Sequence, residues 1–242
     1  MIKLLVLALS GLKFGKLLAS GGSMLLSLMA YTWIFGWRYA MGFICMLLIH
    51  EYGHYWAARN RGMNVGLPTF IPFVGAWIEM KDKPLDAETE AYVGMAGPLA
   101  GSIAALACYF AARQLDSSLL LAISYSGLFL NLFNLIPLSP FDGGRITAVL
   151  SPRIWFAGVP VLVGLFIYHP SPMLILVAIL ALPQLRLAWN YDPAHSDNVR
   201  YYGVSAATKL NYSAAYLALV AFLAMMTLGV HDMLSTVRAI HS

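Results

Sequence analysis

Long apolar runs broken by short polar stretches dominate this chain. They fall at about residues 21–37, 39–58, 91–112, 118–138, 154–168 with 173–190, and 210–230. Runs of this length and character suit helices that cross a bilayer. The paired run is divided by His169-Pro170-Ser171-Pro172, which stops a helix and suits a tight turn between two spans. The pattern predicts an all-α polytopic membrane protein with six core transmembrane helices and the 210–230 run as a candidate seventh. The first residues, MIKLLVLALSGLKFGKLLAS, begin apolar, but Lys13 and Lys16 follow that run instead of preceding it. This order argues against a cleaved signal and for a retained membrane-surface or partly inserted segment over 1–20.

One stretch breaks the helical pattern. In NVGLPTFIPFVGAWIEMKDKPLDAETEA, Pro68, Pro72 and Gly75 exclude a regular helix, whereas Phe70, Ile71, Phe73, Val74, Trp77 and Ile78 favour extended backbone. Non-helical backbone at membrane depth must be covered by protein or line a watered cavity. A small re-entrant, membrane-associated β-hairpin or sheet satisfies that condition; an interfacial loop with aromatic anchors is the competing reading.

Composition agrees. Of 242 residues, 60% are hydrophobic and 11% charged, against roughly a quarter charged in soluble domains. The mean hydropathy is +0.72. The net charge of +4 is spread over short inter-span segments, a topology signal against lipid headgroups and not a nucleic-acid patch. Lys13 and Lys16, Arg59 and Arg61, Lys81 and Lys83, and Arg200 and Lys209 all fall on one side under the positive-inside rule, the cytoplasmic side. Cys45 and Cys108 lie in separate apolar runs without metal-type spacing and imply no disulfide framework.

The candidate chemistry sits in the second run, FICMLLIHEYGHYWAARNRG. His50 and His54 are four apart, so a helix puts both imidazoles on one face, within reach of one metal ion. Glu51 projects beside them, where it can handle the proton of a water. Ionisable groups in a membrane span are costly and mark a functional site by default. The spacing therefore predicts a zinc hydrolase site with His50 and His54 as metal ligands.

Further along, the third run opens with Gly94, Gly97 and Gly101 around Pro98, a smooth face for close helix approach, to which no chemistry is assigned. The fourth run ends in NLFNLIPLSPFDGGR, residues 131–145, where Pro137 and Pro140 break the helix and Gly143-Gly144 allows a sharp turn. Asp142 there needs a counter-charge, which a His-bound dication would supply. It could equally cap a helix beginning near Gly143, or do both.

HEYGH at 50–54 and NLIPLSPFDGG at 134–144, in separate spans and in this order, resemble the paired hallmarks of the site-2 protease family of intramembrane zinc metalloproteases. The GPLAG run and the proline-rich apolar loop are similar to family features, and the likeness covers most of 21–190. The resemblance implies one Zn2+ held by His50, His54 and Asp142, with Glu51 as general base and acid. It implies Asn134 as a helper near the scissile carbonyl, and an apolar loop whose sheet edge receives the substrate. The substrate class would be a transmembrane protein cleaved within or near its span, with room for a regulatory membrane partner. The chain would sit in the cell membrane with its site toward the cytoplasm. It departs from many relatives in lacking room for a PDZ domain between spans or a CBS domain after residue 190. The organisation expected is a membrane-surface segment (1–20), a catalytic core (21–190), and a cytoplasmic segment with an apolar helix (191–242). A metal-ion or proton transporter using the same buried groups is the alternative, and a catalytically dead scaffold, disfavoured by Glu51, is a second.

Overall fold

The computed structural model describes residues 20–71, 75–80, 82 and 84–241. The expected membrane-surface segment lies almost wholly outside them, as do Lys81 and Lys83. Helix α1 covers residues 20–35 and breaks at Gly36, whose φ of +83° is open to glycine; α2 follows at Trp37–Asn60. The break lets two apolar helices meet at an angle, and α2 carries the paired histidines.

A two-stranded antiparallel hairpin comes next, β1 (Val65–Ile71) and β2 (Gly75–Met80), with Phe70 opposite Ala76 and Pro68 opposite Ile78. An irregularity between Val65 and Pro68 bends β1. The hairpin is tied to α1, because the Phe70 N–H donates to Ser23 Oγ at 3.0 Å and the Ser20 hydroxyl donates to the Pro68 carbonyl.

Helix α3 (Ala87–Gln114) starts at Asp86, which accepts the Thr89 N–H at 2.7 Å, while Glu88 and Glu90 favour the positive end of its dipole. Helix α4 (Ser118–Asn134) is capped by Ser117. It stops at Asn134, short of the 138 read from hydropathy, because Pro137 cannot continue a helix and the backbone turns there. A short helix α5 (Asp142–Thr147) follows, then a 3-10 turn at Pro152–Ala157 that runs into α6 (Gly158–Tyr168). After the Pro170–Pro172 break come α7 (Pro172–Trp189), α8 (Ser196–Tyr202) and α9 (Ala206–His241).

Among the described residues, three helices are long and apolar enough to cross a membrane: Ala87–Gln114, Pro172–Trp189 and Ala206–Val237. Exposed Leu176, Ile179, Leu180 and Leu182 on α7, and Leu217, Met225 and Leu228 on α9, make sense facing lipid. Helix α2 is equally long, but its charged and imidazole side chains lower its hydropathy, which is the cost of carrying a site.

Two cores organise the bundle. The larger joins α2, α3, α4 and α9 through Met46, Ala105, Leu128 and Leu223. Hydroxyls bridge its helices, Ser124 donating to the Ala105 carbonyl at 2.8 Å and Tyr216 to the Leu135 carbonyl at 2.6 Å. The smaller joins the 135–141 turn to α6 and α7 through Phe141, Trp155, Leu162 and Val177. Helix α5 sits between them, contributing Ile146 to the first while Ala148, just beyond it, enters the second.

Candidate metal centre

Four elements build the site. The i, i+4 spacing puts His50 and His54 on the inner face of α2, both buried. The chain break after α4 swings α5 back so that Asp142, at its first residue, reaches the same point. His50 Nε2, His54 Nε2 and Asp142 Oδ2 form a near-equilateral triangle with every edge 3.1 Å.

The outer ring nitrogens decide what that triangle means. His54 Nδ1 lies 2.7 Å from the Val93 carbonyl of α3; a carbonyl only accepts, so this nitrogen carries the proton. The Asn131 amide nitrogen donates to the Gly127 carbonyl at 2.6 Å, which turns Asn131 Oδ1 toward His50 Nδ1 at 2.8 Å. His50 therefore also donates from Nδ1. With Nδ1 carrying the proton in each ring, a neutral imidazole has its lone pair at Nε2, facing the Asp142 carboxylate, and three lone pairs at this separation suit a cation set among them. Two imidazole nitrogens and one carboxylate oxygen suit zinc, and a triangle of this size has a common point about 2 Å from each corner, a normal zinc–ligand length. The residues fit a divalent ion, and they form a candidate metal cluster among the described residues.

Asp142 is not held as a helix cap. The residue before the helix is Phe141, and the Asp142 carboxylate faces the histidines with Oδ2 and lies 3.8 Å from Arg145 through Oδ1. Its position at the helix start still fixes the direction of the carboxylate. Gly143 and Gly144 press against the backbone of residues 135–139, where a Cβ would overlap carbonyl oxygens and a backbone nitrogen. Trp155 Nε1 locks the turn by donating to the Gly144 carbonyl at 2.8 Å.

The glycine stripe of α3 does more than pack. A Cβ at Gly97 would overlap the His54 ring, and one at Gly101 would overlap the Asn131 amide. Gly94 faces α5, within 3.4 Å of the Asp142 carbonyl for such a Cβ. The small residues open the space in which the ligands and their orienting amide stand.

Asn131 is the residue the motif reading passes over. It is fully buried and holds the outer nitrogen of His50, an arrangement that orients a metal ligand and sets its tautomer. The signal was present in the sequence, since an amide in the middle of an apolar helix is costly without a partner.

A cavity of about 410 Å³ opens beside the triangle. Glu51 and Asn134 both line it, with Val65 of β1, Glu90 of α3, Arg145 of α5 and Gln184 of α7. Asn134 Nδ2 donates to the Leu130 carbonyl of its own helix at 3.0 Å, leaving its second N–H and its oxygen for the cavity. At the rim the Tyr201 hydroxyl of α8 donates to Glu90 Oε2 at 2.6 Å. Burial, then the charge of Glu90, pushes the Tyr201 hydroxyl well above its ordinary pKa, and the same causes raise Tyr202 to about 12. Both hydroxyls therefore stay protonated around neutral pH, where Tyr201 donates to Glu90.

Residues 38–126 match Peptidase family M50. A zinc metalloprotease of Methanocaldococcus jannaschii is 34% identical over 113 residues, which are 44% of this chain and 32% of that protein. The chain thus spans about a third of that relative's own length. Superposed on the site-2 protease from the same organism, the fold gives a TM-score of 0.48 at 22% identity, over 72% of this chain and 89% of that one. The family match runs through the helix that carries His50, Glu51 and His54 and stops short of Asp142, which the fold brings into their cluster.

Proposed function

We propose that this protein is a zinc endopeptidase that hydrolyses peptide bonds within or near the transmembrane segments of membrane proteins. The observation that carries this reading is the triangle of His50, His54 and Asp142 with Glu51 in the adjoining cavity wall. The match of residues 38–126 to Peptidase family M50 and the relative's name as a zinc metalloprotease support it.

His50, His54 and Asp142 would hold one zinc ion, whose chemistry is to polarise a carbonyl and to acidify a water. Glu51 acts as general base: it takes a proton from the water whose oxygen attacks the peptide carbonyl carbon. It then delivers that proton to the leaving nitrogen as the C–N bond breaks. Asn134, with an N–H still free for the cavity, donates to the carbonyl oxygen as negative charge develops there, an interaction stronger in the transition state than in the substrate.

A helical substrate shields its peptide bonds and must unwind before attack. The β1–β2 hairpin, re-entrant in this reading, would hold the unwound chain extended, with Val65 bordering the cavity. The basic residues Arg59, Arg61, Arg200 and Lys209 support a cell-membrane orientation with the cavity toward the cytoplasm. The substrate is then a single-span protein with helix-weakening residues near its cytoplasmic end, and a regulatory membrane partner would act on that encounter.

Glu51→Gln tests the mechanism. Purified in detergent, the variant is expected to keep wild-type zinc content and to lose cleavage of a single-span peptide by at least about two orders of magnitude. Wild-type cleavage by that variant would remove Glu51 from the reaction.

A further inference from the structure

The proposed chemistry uses the α2, α4 and α5 sides of the cavity and leaves the α7 side without a role. That side presents Gln184, a half-buried carboxamide near the end of a helix otherwise apolar enough to cross a membrane. Its neighbours Leu182 and Leu187 are exposed as lipid-facing residues are, whereas Gln184 lines the same cavity as the metal triangle. Elsewhere in the lining, Glu90 is engaged with Tyr201 and Arg145 with Asp142. Among the described residues Gln184 has no hydrogen-bond partner in the protein. A primary amide in a membrane span is costly unless its donor and acceptor are used.

An unwound peptide in this cavity has the matching need. Each of its residues brings one N–H and one C=O that lipid cannot satisfy. A strand edge pairs only the groups that point toward it, and those pointing away need partners elsewhere in the lining, to which Gln184 belongs. A carboxamide offers one acceptor and a two-hydrogen donor group, enough to pair with the C=O and N–H of one extended residue. Pro183, just before it in the chain, interrupts the helical hydrogen bonding of α7 there, so this wall is not a plain helical surface.

We propose that Gln184 is a substrate-binding residue whose carboxamide pairs with the main chain of the extended peptide, on the side of the cavity facing the hairpin. This inference rests on the zinc-endopeptidase reading. It predicts recognition of backbone and not of side-chain identity, so it favours no particular sequence at the paired position.

The test compares two zinc-directed probes on the full-length chain in lipid vesicles: acetohydroxamate, which reaches the ion alone, and a peptidyl hydroxamate carrying three apolar residues. Gln184→Met keeps the length of the side chain and removes its donors and acceptor. It is expected to weaken the peptidyl probe roughly tenfold, the scale of a lost hydrogen-bond pair, with acetohydroxamate affinity and zinc content unchanged. An unchanged peptidyl affinity would overturn the proposal, and so would equal weakening of both probes, which would mean a disturbed metal site. If neither probe binds the zinc-loaded wild type, the hydrolase reading itself fails and this inference goes with it.

Discussion

Around α2, α3 and α4, close approach is set by small residues. Gly53 lies against the Ala96 backbone, Gly127 against Ala105 and Met46, and Gly97 against the His54 ring. In the α6–α7 hairpin, close approach is confined to the start of α6, where a Cβ at Gly158 would meet Leu138 and the Pro137 carbonyl; further along, Gly164 has nothing within 4 Å of where a Cβ would stand. The first region holds its helices at a fixed separation from which the ligands project. The second packs on its own 3-10 turn and the 135–141 segment, and it contributes Gln184 to the cavity. The contrast teaches that close packing is concentrated around the candidate metal cluster.

The sharpest way to break that contrast is to add one methyl group to each region. Gly97→Ala drives a Cβ into the His54 ring, at a packing cost of about 1–3 kcal/mol, and should leave the purified chain with little bound zinc by metal analysis. Gly164→Ala, on an open helix face, should retain full zinc and match or exceed the wild-type unfolding free energy, by up to about 1 kcal/mol. Similar zinc loss from both would show that the two regions do not differ as described.

Next in size is the orienting amide. Asn131→Leu removes the acceptor of the His50 Nδ1 proton without touching a ligand, and zinc affinity measured by chelator competition should fall about 10–100-fold. Wild-type affinity would mean that packing alone orients the ring. The smallest effect is expected at the rim, where Tyr201→Phe loses one hydrogen bond to Glu90. That change should cost about 0.5–1.5 kcal/mol in thermal unfolding, with zinc content intact. A loss of zinc there would extend the rigid region out to α8.

The chemistry was more legible in the sequence than the architecture that holds it. Helical spacing alone puts His50 and His54 on one face, and the proline-broken DGG segment points to Asp142, though spacing left open whether its carboxylate caps or ligates. Packing supplies the direction of the carboxylate, because the turn after Asn134 carries α5 back against Gly94 and Asp142 then faces the histidines. Hydropathy ran the fourth span to residue 138, since leucine and isoleucine look alike inside a helix or just past its end; the prolines set the true stop. The glycine stripe was readable as a packing face, but what stood opposite each glycine depends on helix rotation, which no single sequence period reports. Asn131 was overlooked for a related reason: its partner is 81 positions away in the chain.

The bonds that aim the two imidazoles come from other helices, His54 from the Val93 carbonyl of α3 and His50 from Asn131 of α4. A newly inserted α2 therefore carries both rings but no means to direct them, and the carboxylate arrives later still, on α5. The cation can be captured firmly only once four parts of the chain have assembled. Under the endopeptidase reading proposed above, an unfinished copy would lack the means to hydrolyse anything around it.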